Sequence, residues 1–301
     1  MLTTKVKGEY KILVYKSDGS LKQETEWFDN IVLNNGLDLL AGGNGSSIFA
    51  QCVVGSGTTT PAVTQTALTN LVLSTTTKQS GSNTWYTSPY YYETIITFRF
   101  AAVGAGLSYN LNEVGVGRTT TSLFSRALIT DGSGTQITVS ITEGEILDVI
   151  YKFRNYPPLT DADYSQSVTI SGTSYTFTWR PSYVGVSTGW NIWNNAVTDR
   201  YFLTAHSGSV GAITSVPSGT ATEASNTSPA QYVVGTYTNS ATMTFGLSEA
   251  NYGGGITAFK FNRGGNGATQ QWGYQCSVSP AIAKTSAQSL KIVGQMSWER
   301  Y

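Results

Sequence analysis

A single histidine, His206, serves the whole chain. Because imidazole is the usual proton shuttle near neutral pH, that scarcity excludes a histidine-rich metal site. Only two cysteines occur, Cys52 and Cys276. They lie far apart and neither has a CxxC partner, so both read as small buried hydrophobes rather than as a bridge. Charge is scarce and balanced, with 18 basic and 18 acidic residues, a formal net charge of zero and 12% charged positions, where about 25% is ordinary. Such a chain has no electrostatic pull toward nucleic acid. No apolar run reaches the ~18 residues of a spanning helix, which leaves no membrane insertion to expect. The opening Met1 to Lys7 has no apolar stretch of the kind a secretory leader requires, so synthesis in a cytosol is expected. Repeats of about 20 to 50 residues, a collagen period and coiled-coil heptads are absent too, which excludes an extended triple-helical shaft.

What fills the chain instead is neutral and polar, since Gly, Ser, Thr and Asn dominate it, yet apolar residues reach 40% and aromatics 12%. That is enough for a packed core, which disordered chains lack. Short runs alternate with period two between Gly, Ser, Asn and Asp, the pattern of half-buried antiparallel strands. The fold class that follows is all-β, an antiparallel β-sandwich or jelly-roll-like architecture. Lys5 to Lys16 reads as a first strand, Ser17-Asp18-Gly19-Ser20 as a tight turn and Leu21 to Phe28 as the return. Asn34 to Ala41, with Asn at its start and the pair Gly42-Gly43 after it, predicts one short helix near 34–41. Further strands are expected at Tyr91 to Ala101 and at Ile146 to Tyr156. In the latter, Leu147, Val149, Tyr151 and Phe153 oppose a wet face of Asp148, Ile150, Lys152 and Arg154.

Val168 to Arg180 predicts a hairpin turning at Ser171 to Ser174 and stopped at Arg180-Pro181. The segment Ser207 to Pro229 reads as a long loop, and Leu290 to Glu299 as a final strand that completes a sheet. From Leu39 to Thr77 no charged residue occurs, so hydroxyls must form that surface. The Pro157-Pro158 pair suggests two β domains, 1–158 and 159–301, because proline ends strand pairing.

Searching for chemistry returns little. His206 lies between Asp199 and Ser207 in sequence, but no motif surrounds it and a triad is defined by geometry. Gly55-Ser56-Gly57 lacks the lysine of a phosphate loop. Glu24 and Glu26, Glu143 and Glu145, and Asp161 and Asp163 are close carboxylate pairs, as a glycosidase needs, although a solvated face explains them more simply. Asp161-Ala162-Asp163 begins like a calcium loop and then fails, with Gln166 where the turn glycine belongs. No catalytic residue, metal ligand or cofactor follows. The aromatic clusters around Trp85 and Tyr86 and around Trp190 and Trp193 are more distinctive. With Asn and Thr beside them they suit sugar faces, while subunit interfaces and core edges favour the same residues.

Several segments taken together carry a resemblance. They are Trp27-Phe28-Asp29-Asn30-Ile31-Val32-Leu33-Asn34-Asn35-Gly36-Leu37-Asp38, Val53 to Leu68, Leu111-Asn112-Glu113-Val114-Gly115-Val116-Gly117, Leu123-Phe124-Ser125-Arg126-Ala127-Leu128-Ile129, Glu145 to Val149, Arg154 to Pro158, Pro280 to Thr285 and Ser297-Trp298-Glu299-Arg300. This combination resembles a family of tailed-bacteriophage virion proteins, with Ser182 to Asn251 the least similar part. The resemblance implies a non-enzymatic component of the virion, of tail, tail-fibre or virion-surface type, with no catalytic residue to carry over. It also implies a homo-oligomer, with a trimer expected, in which the first half docks on neighbouring virion proteins. Alternatives remain open: a capsid decoration or head-fibre protein, a host-surface glycan-binding module using Trp85, Tyr86, Trp190 and Trp193, and, last, a polysaccharide-degrading tailspike.

Overall fold

The computed structural model describes residues 3–42, 45–87, 89–156, 164–184, 201–263 and 271–301. The chain is all-β and divides into two compact units, Thr4–Tyr156 with Trp298–Tyr301, and Pro157–Ser297 with Met1–Thr3. The expected boundary at Pro158 lies outside the described residues.

The first unit is built on β1 (Thr3–Tyr15), whose alternation buries Val6, Tyr10, Ile12 and Val14 and turns its lysines outward. Gly19 takes a φ of 84° in the turn that follows, and the Asp18 carboxylate accepts the Ser20 N–H at 2.8 Å, which lowers the Asp18 pKa. The return strand is broken into β2 (Leu21–Glu24) and β3 (Phe28–Asp29), with a register shift between Val14 and Tyr15. Thr25 bridges the gap, since its Oγ1 accepts the Ile12 N–H at 2.9 Å. After β4 (Ile31–Val32) come the expected helix α1 (Asn34–Gly42) and an unforeseen single-turn helix α2 (Gly45–Ile48). Gly36 is needed where α1 begins, because a Cβ there would stand 2.1 Å from the Phe124 carbonyl oxygen.

Next in order are β5 (Gln51–Gly55), β6 (Leu71–Thr75), β7 (Lys78–Thr87), β8 (Tyr90–Arg99), β9 (Ser108–Leu111), β10 (Glu113–Thr119), β11 (Ser122–Leu128), β12 (Val139–Thr142) and β13 (Ile146–Tyr156). One antiparallel sheet runs β1-β13-β8-β7, a second runs β4-β11-β10-β5-β6, and β9 pairs with β12. Between the two larger sheets Phe49, Phe124 and Phe153 meet at 5.0 to 5.5 Å between ring centres. The Ser125 hydroxyl lies 2.7 Å from the Tyr10 phenol and 3.2 Å from that of Tyr151, so the buried hydroxyls satisfy one another. On β13 the face expected to be wet is only half open, and Asp148 is 3% exposed because Arg99 grips it with two bonds of 2.7 Å.

The second unit contains β14 (Tyr164–Ile170), β15 (Thr173–Val184), β16 (Tyr201–His206), β17 (Ala221–Glu223), β18 (Asn226–Pro229), β19 (Thr238–Phe245), β20 (Ile256–Arg263), β21 (Gln271–Ile282) and the Leu290–Ser297 portion of β22 (Leu290–Arg300). One sheet runs β14-β15-β21-β20-β16-β17 and another holds β18-β19-β22. The β14–β15 turn is Ser171-Gly172, both at positive φ, as a two-residue hairpin loop requires. Two expectations are corrected. Pro181 does not end β15, which continues to Val184 opposite β21. Its described pairing with β14 runs as far as Tyr164↔Trp179. The segment 207–229 is not all loop, since β17 and β18 form within it. Phe259 lies 6.2 Å from Phe245, and Gly294 on β22 leaves room for the Phe261 ring. No helix among the described residues is long and apolar enough to cross a membrane.

Candidate functional site

Strand register gathers tyrosines on the outer face of the first unit's β1-β13-β8-β7 sheet. Tyr86 stands opposite Tyr91, and Tyr156 opposite Lys5. Their rings form a continuous row closed by the chain's last residue. Tyr86 stacks on Tyr91 at 4.4 Å and 18°, Tyr91 meets Tyr156 at 5.3 Å, and Tyr156 meets Tyr301 at 4.5 Å. Exposure is greatest at the two ends, 37% for Tyr86 and 65% for Tyr301.

A row of alternating charge runs beside the tyrosines. Arg154 donates to Glu93 at 2.7 Å and lies 5.1 Å from the Tyr91 ring centre, while Tyr86 donates to the other Glu93 oxygen at 3.3 Å. Glu9 gathers Lys7, Lys152 and Arg154 within 3.0 to 3.6 Å, and Lys152 sits 3.6 Å from the Trp27 ring centre. The Glu93 charge beside it raises the pKa of Tyr86, and burial raises that of Tyr156. Burial alone would lower the pKa of Arg154, but the bonds to Glu93 and Tyr156 and the charge of Glu9 together outweigh this and raise it. The Tyr86 and Tyr156 phenols therefore stay protonated near neutral pH, and the row offers hydrogen-bonding groups with apolar faces. A pocket of about 320 Å³ adjoins it, lined by Lys7, Asp29, Asn30, Arg300 and Tyr301 among others. Such a surface can stack on a sugar or on another protein; it holds no activated nucleophile.

Of the four aromatics singled out in the sequence, Tyr86 lies in this row. Trp85 is on β7 opposite Tyr92, and its side chain is outside the described residues, as are Trp190 and Trp193. The turn Asp161 to Asp163 and Asp199 are outside them as well. Ser207 accepts the Thr220 N–H at 2.9 Å. His206 is 4% exposed with both ring nitrogens unpartnered, and burial lowers its pKa. Glu143 accepts from Gly106, and Glu145 from Lys22 and Thr142, so each carboxylate fastens a turn. Cys52 and Cys276 are buried and free, and burial raises both thiols. Among the described residues no cluster of His, Cys, Asp and Glu could hold a metal.

The most heavily bonded charges escaped the sequence reading. Glu113 and Arg126 have fully buried side chains and pair at 2.6 Å across β10 and β11. Glu113 also accepts the N–H groups of Gly57, Thr69 and Asn70 at 2.8 to 3.1 Å. Arg126 donates to Gln65, to the Thr59 carbonyl and to Thr69. Together they anchor the charge-free loop from Ser56 to Asn70, whose threonines 58–60 face solvent as expected. Gly57 must lack a side chain, since a Cβ would lie 2.4 Å from Glu113 Oε1. The available signal was one acid and one base at positions of β10 and β11 that alternate with Val and Leu. No family model matches the chain, and no curated protein or solved structure matches it.

Proposed function

We propose that this chain is a non-enzymatic structural component of a tailed-bacteriophage virion, of tail or tail-fibre type, which associates with copies of itself and with neighbouring virion proteins. One observation carries the reading: residues of the segments that resemble the family meet as internal ties. Glu113 and Arg126 fasten the loop that follows Gly55. Trp298 Nε1 donates to the Leu37 carbonyl at 2.8 Å, and Arg300 donates to the Val32 carbonyl and to Asn34. Charged and amide groups spent on cross-links within the fold, with hydroxyls outside, make a durable building block rather than a reactive centre. A head-fibre or decoration role would use the same features.

A second reading is favoured by the tyrosine row: a host-surface glycan laid across Tyr86, Tyr91, Tyr156 and Tyr301. Quantitative mass spectrometry of gradient-purified particles tests the first reading. It is expected to recover this chain in many copies per particle, and its absence would overturn the proposal. A glycan array with wild type and Tyr86→Ala tests the second, which ends if wild type binds no bacterial surface sugar.

A further inference from the structure

Among the described residues, the strand β14 differs from most other sheet edges. Its sequence, Tyr164-Ser165-Gln166-Ser167-Val168-Thr169-Ile170, contains no charge and no proline, and six of its seven residues are exposed. Protein edges are ordinarily blunted by shortness, lysine, proline or bulges, because an open row of N–H and C=O groups is a template for another strand. Several other edges among the described residues show those devices. β4 has two residues, β17 has three and carries Glu223, β18 ends in Pro229, β6 has a register shift opposite Val54 and Gly55, and β7 begins at Lys78 with a register shift before Ser80.

On its paired side β14 meets β15 from Tyr164↔Trp179 to Ile170↔Thr173. β15 in turn meets β21 only from Thr176 onward. The tip of the hairpin is thus a two-stranded ribbon extending past the sheet, an arrangement of marginal stability on its own. Its two faces differ in chemistry. One carries Tyr164, Val168, Ile170, Tyr175, Phe177 and Trp179 with Gln166 and Thr173, and the other is a field of hydroxyls, Ser165, Ser167, Thr169, Ser174, Thr176 and Thr178. Tyr164 is 47% and Val168 37% exposed.

We propose that β14 pairs antiparallel with β14 of a second copy about a two-fold axis at Ser167, joining two hairpins into a four-stranded ribbon. The strand is complementary to itself in that register. Ser167 meets Ser167, Ser165 meets Thr169 and Gln166 meets Val168, while Tyr164 meets Ile170, an aromatic opposite a β-branched residue. Hydroxyl faces hydroxyl, the apolar row is doubled in length, and no like charges are opposed. Such a contact is isologous. It rests on the proposed function only for the existence of self-association, and it names a two-fold contact distinct from the three-fold one the resemblance implies.

The axis makes Ser167 a sharp test. Ser167→Lys places two ammonium groups against each other, and Ser167→Asp two carboxylates. Neither disturbs the unit itself, because the side chain is exposed. Sedimentation of the full chain is expected to give a dimer for wild type. Each variant alone should dissociate with a constant raised at least about tenfold. An equimolar mixture of the two should associate as wild type does. A monomeric wild type, or a Ser167→Lys chain that associates as well as wild type, would overturn the proposal. Neither result bears on whether the chain belongs to a virion, which the particle mass spectrometry decides separately.

Discussion

Buried charge is treated in opposite ways at two sites, one in each unit. In the first, Glu113 and Arg126 are wholly removed from water, yet the acid accepts from three backbone N–H groups and the base reaches three further oxygen acceptors. In the second, Lys260 is 2% exposed with its ammonium unpartnered, and burial lowers its pKa to about 8. His206, on the neighbouring strand β16, feels that charge. Glu223 lies on the far side of Thr204 in the same cross-strand row, and Gln275, the next residue on the other side, is committed to Gly211 and Ala212. A buried ion is tolerable when its bonds are complete and costly when they are not. The first unit should therefore lose stability when Arg126 is removed, and the second gain it when Lys260 is removed.

Arg126→Met gives the sharpest break in that comparison, because it strands the Glu113 carboxylate. A loss of about 3 to 5 kcal/mol is expected in chemical denaturation, with the loop 56–70 the first segment to lose hydrogen-exchange protection. Lys260→Met should move the other way and stabilise at neutral pH by about 1 to 3 kcal/mol. Its pH dependence carries the sign. Between about 8 and the ordinary lysine value of 10.5, the unfolded chain holds a proton that the folded chain has released. Wild-type stability therefore rises with pH across that window and the advantage of the variant shrinks. Trp298→Phe, which removes the indole bond to Leu37 and part of a buried ring, should cost at least about 1 kcal/mol, read from the same denaturation curves. Lys5→Ala breaks an ion pair with Glu299 whose two side chains are half exposed. It should change stability by no more than a few tenths of a kcal/mol; a larger loss would mean that surface pairs matter here as much as buried ones.

Period-two alternation made much of this fold legible. The bounds of β13 match the expected Ile146 to Tyr156, and in β8, within the strand expected at Tyr91 to Ala101, Tyr92, Thr94, Ile96 and Phe98 alternate as buried residues. The Gly19 and Ser171-Gly172 turns were readable because few residues accept positive φ. Pro181 misled because a local rule about proline says nothing of which neighbour strand is present. The short strands β17 and β18 were hidden in a segment without apolar periodicity, held by pairing with β16 and β19 rather than by their own pattern. Of the candidate site, Tyr86 was visible as part of an aromatic cluster. Tyr156 and Tyr301 join it only through long-range register. Glu113 and Arg126 looked like ordinary strand charges, since sequence does not reveal which face of a two-sheet unit is covered by a loop.

The central claim is that the chain is a particle building block, and electron microscopy of intact particles labelled with gold-conjugated antibody against it tests this most directly. The account predicts gold at one fixed structural position, repeated from particle to particle. Particles that remain unlabelled while the antibody binds soluble chain from the same lysate would contradict it.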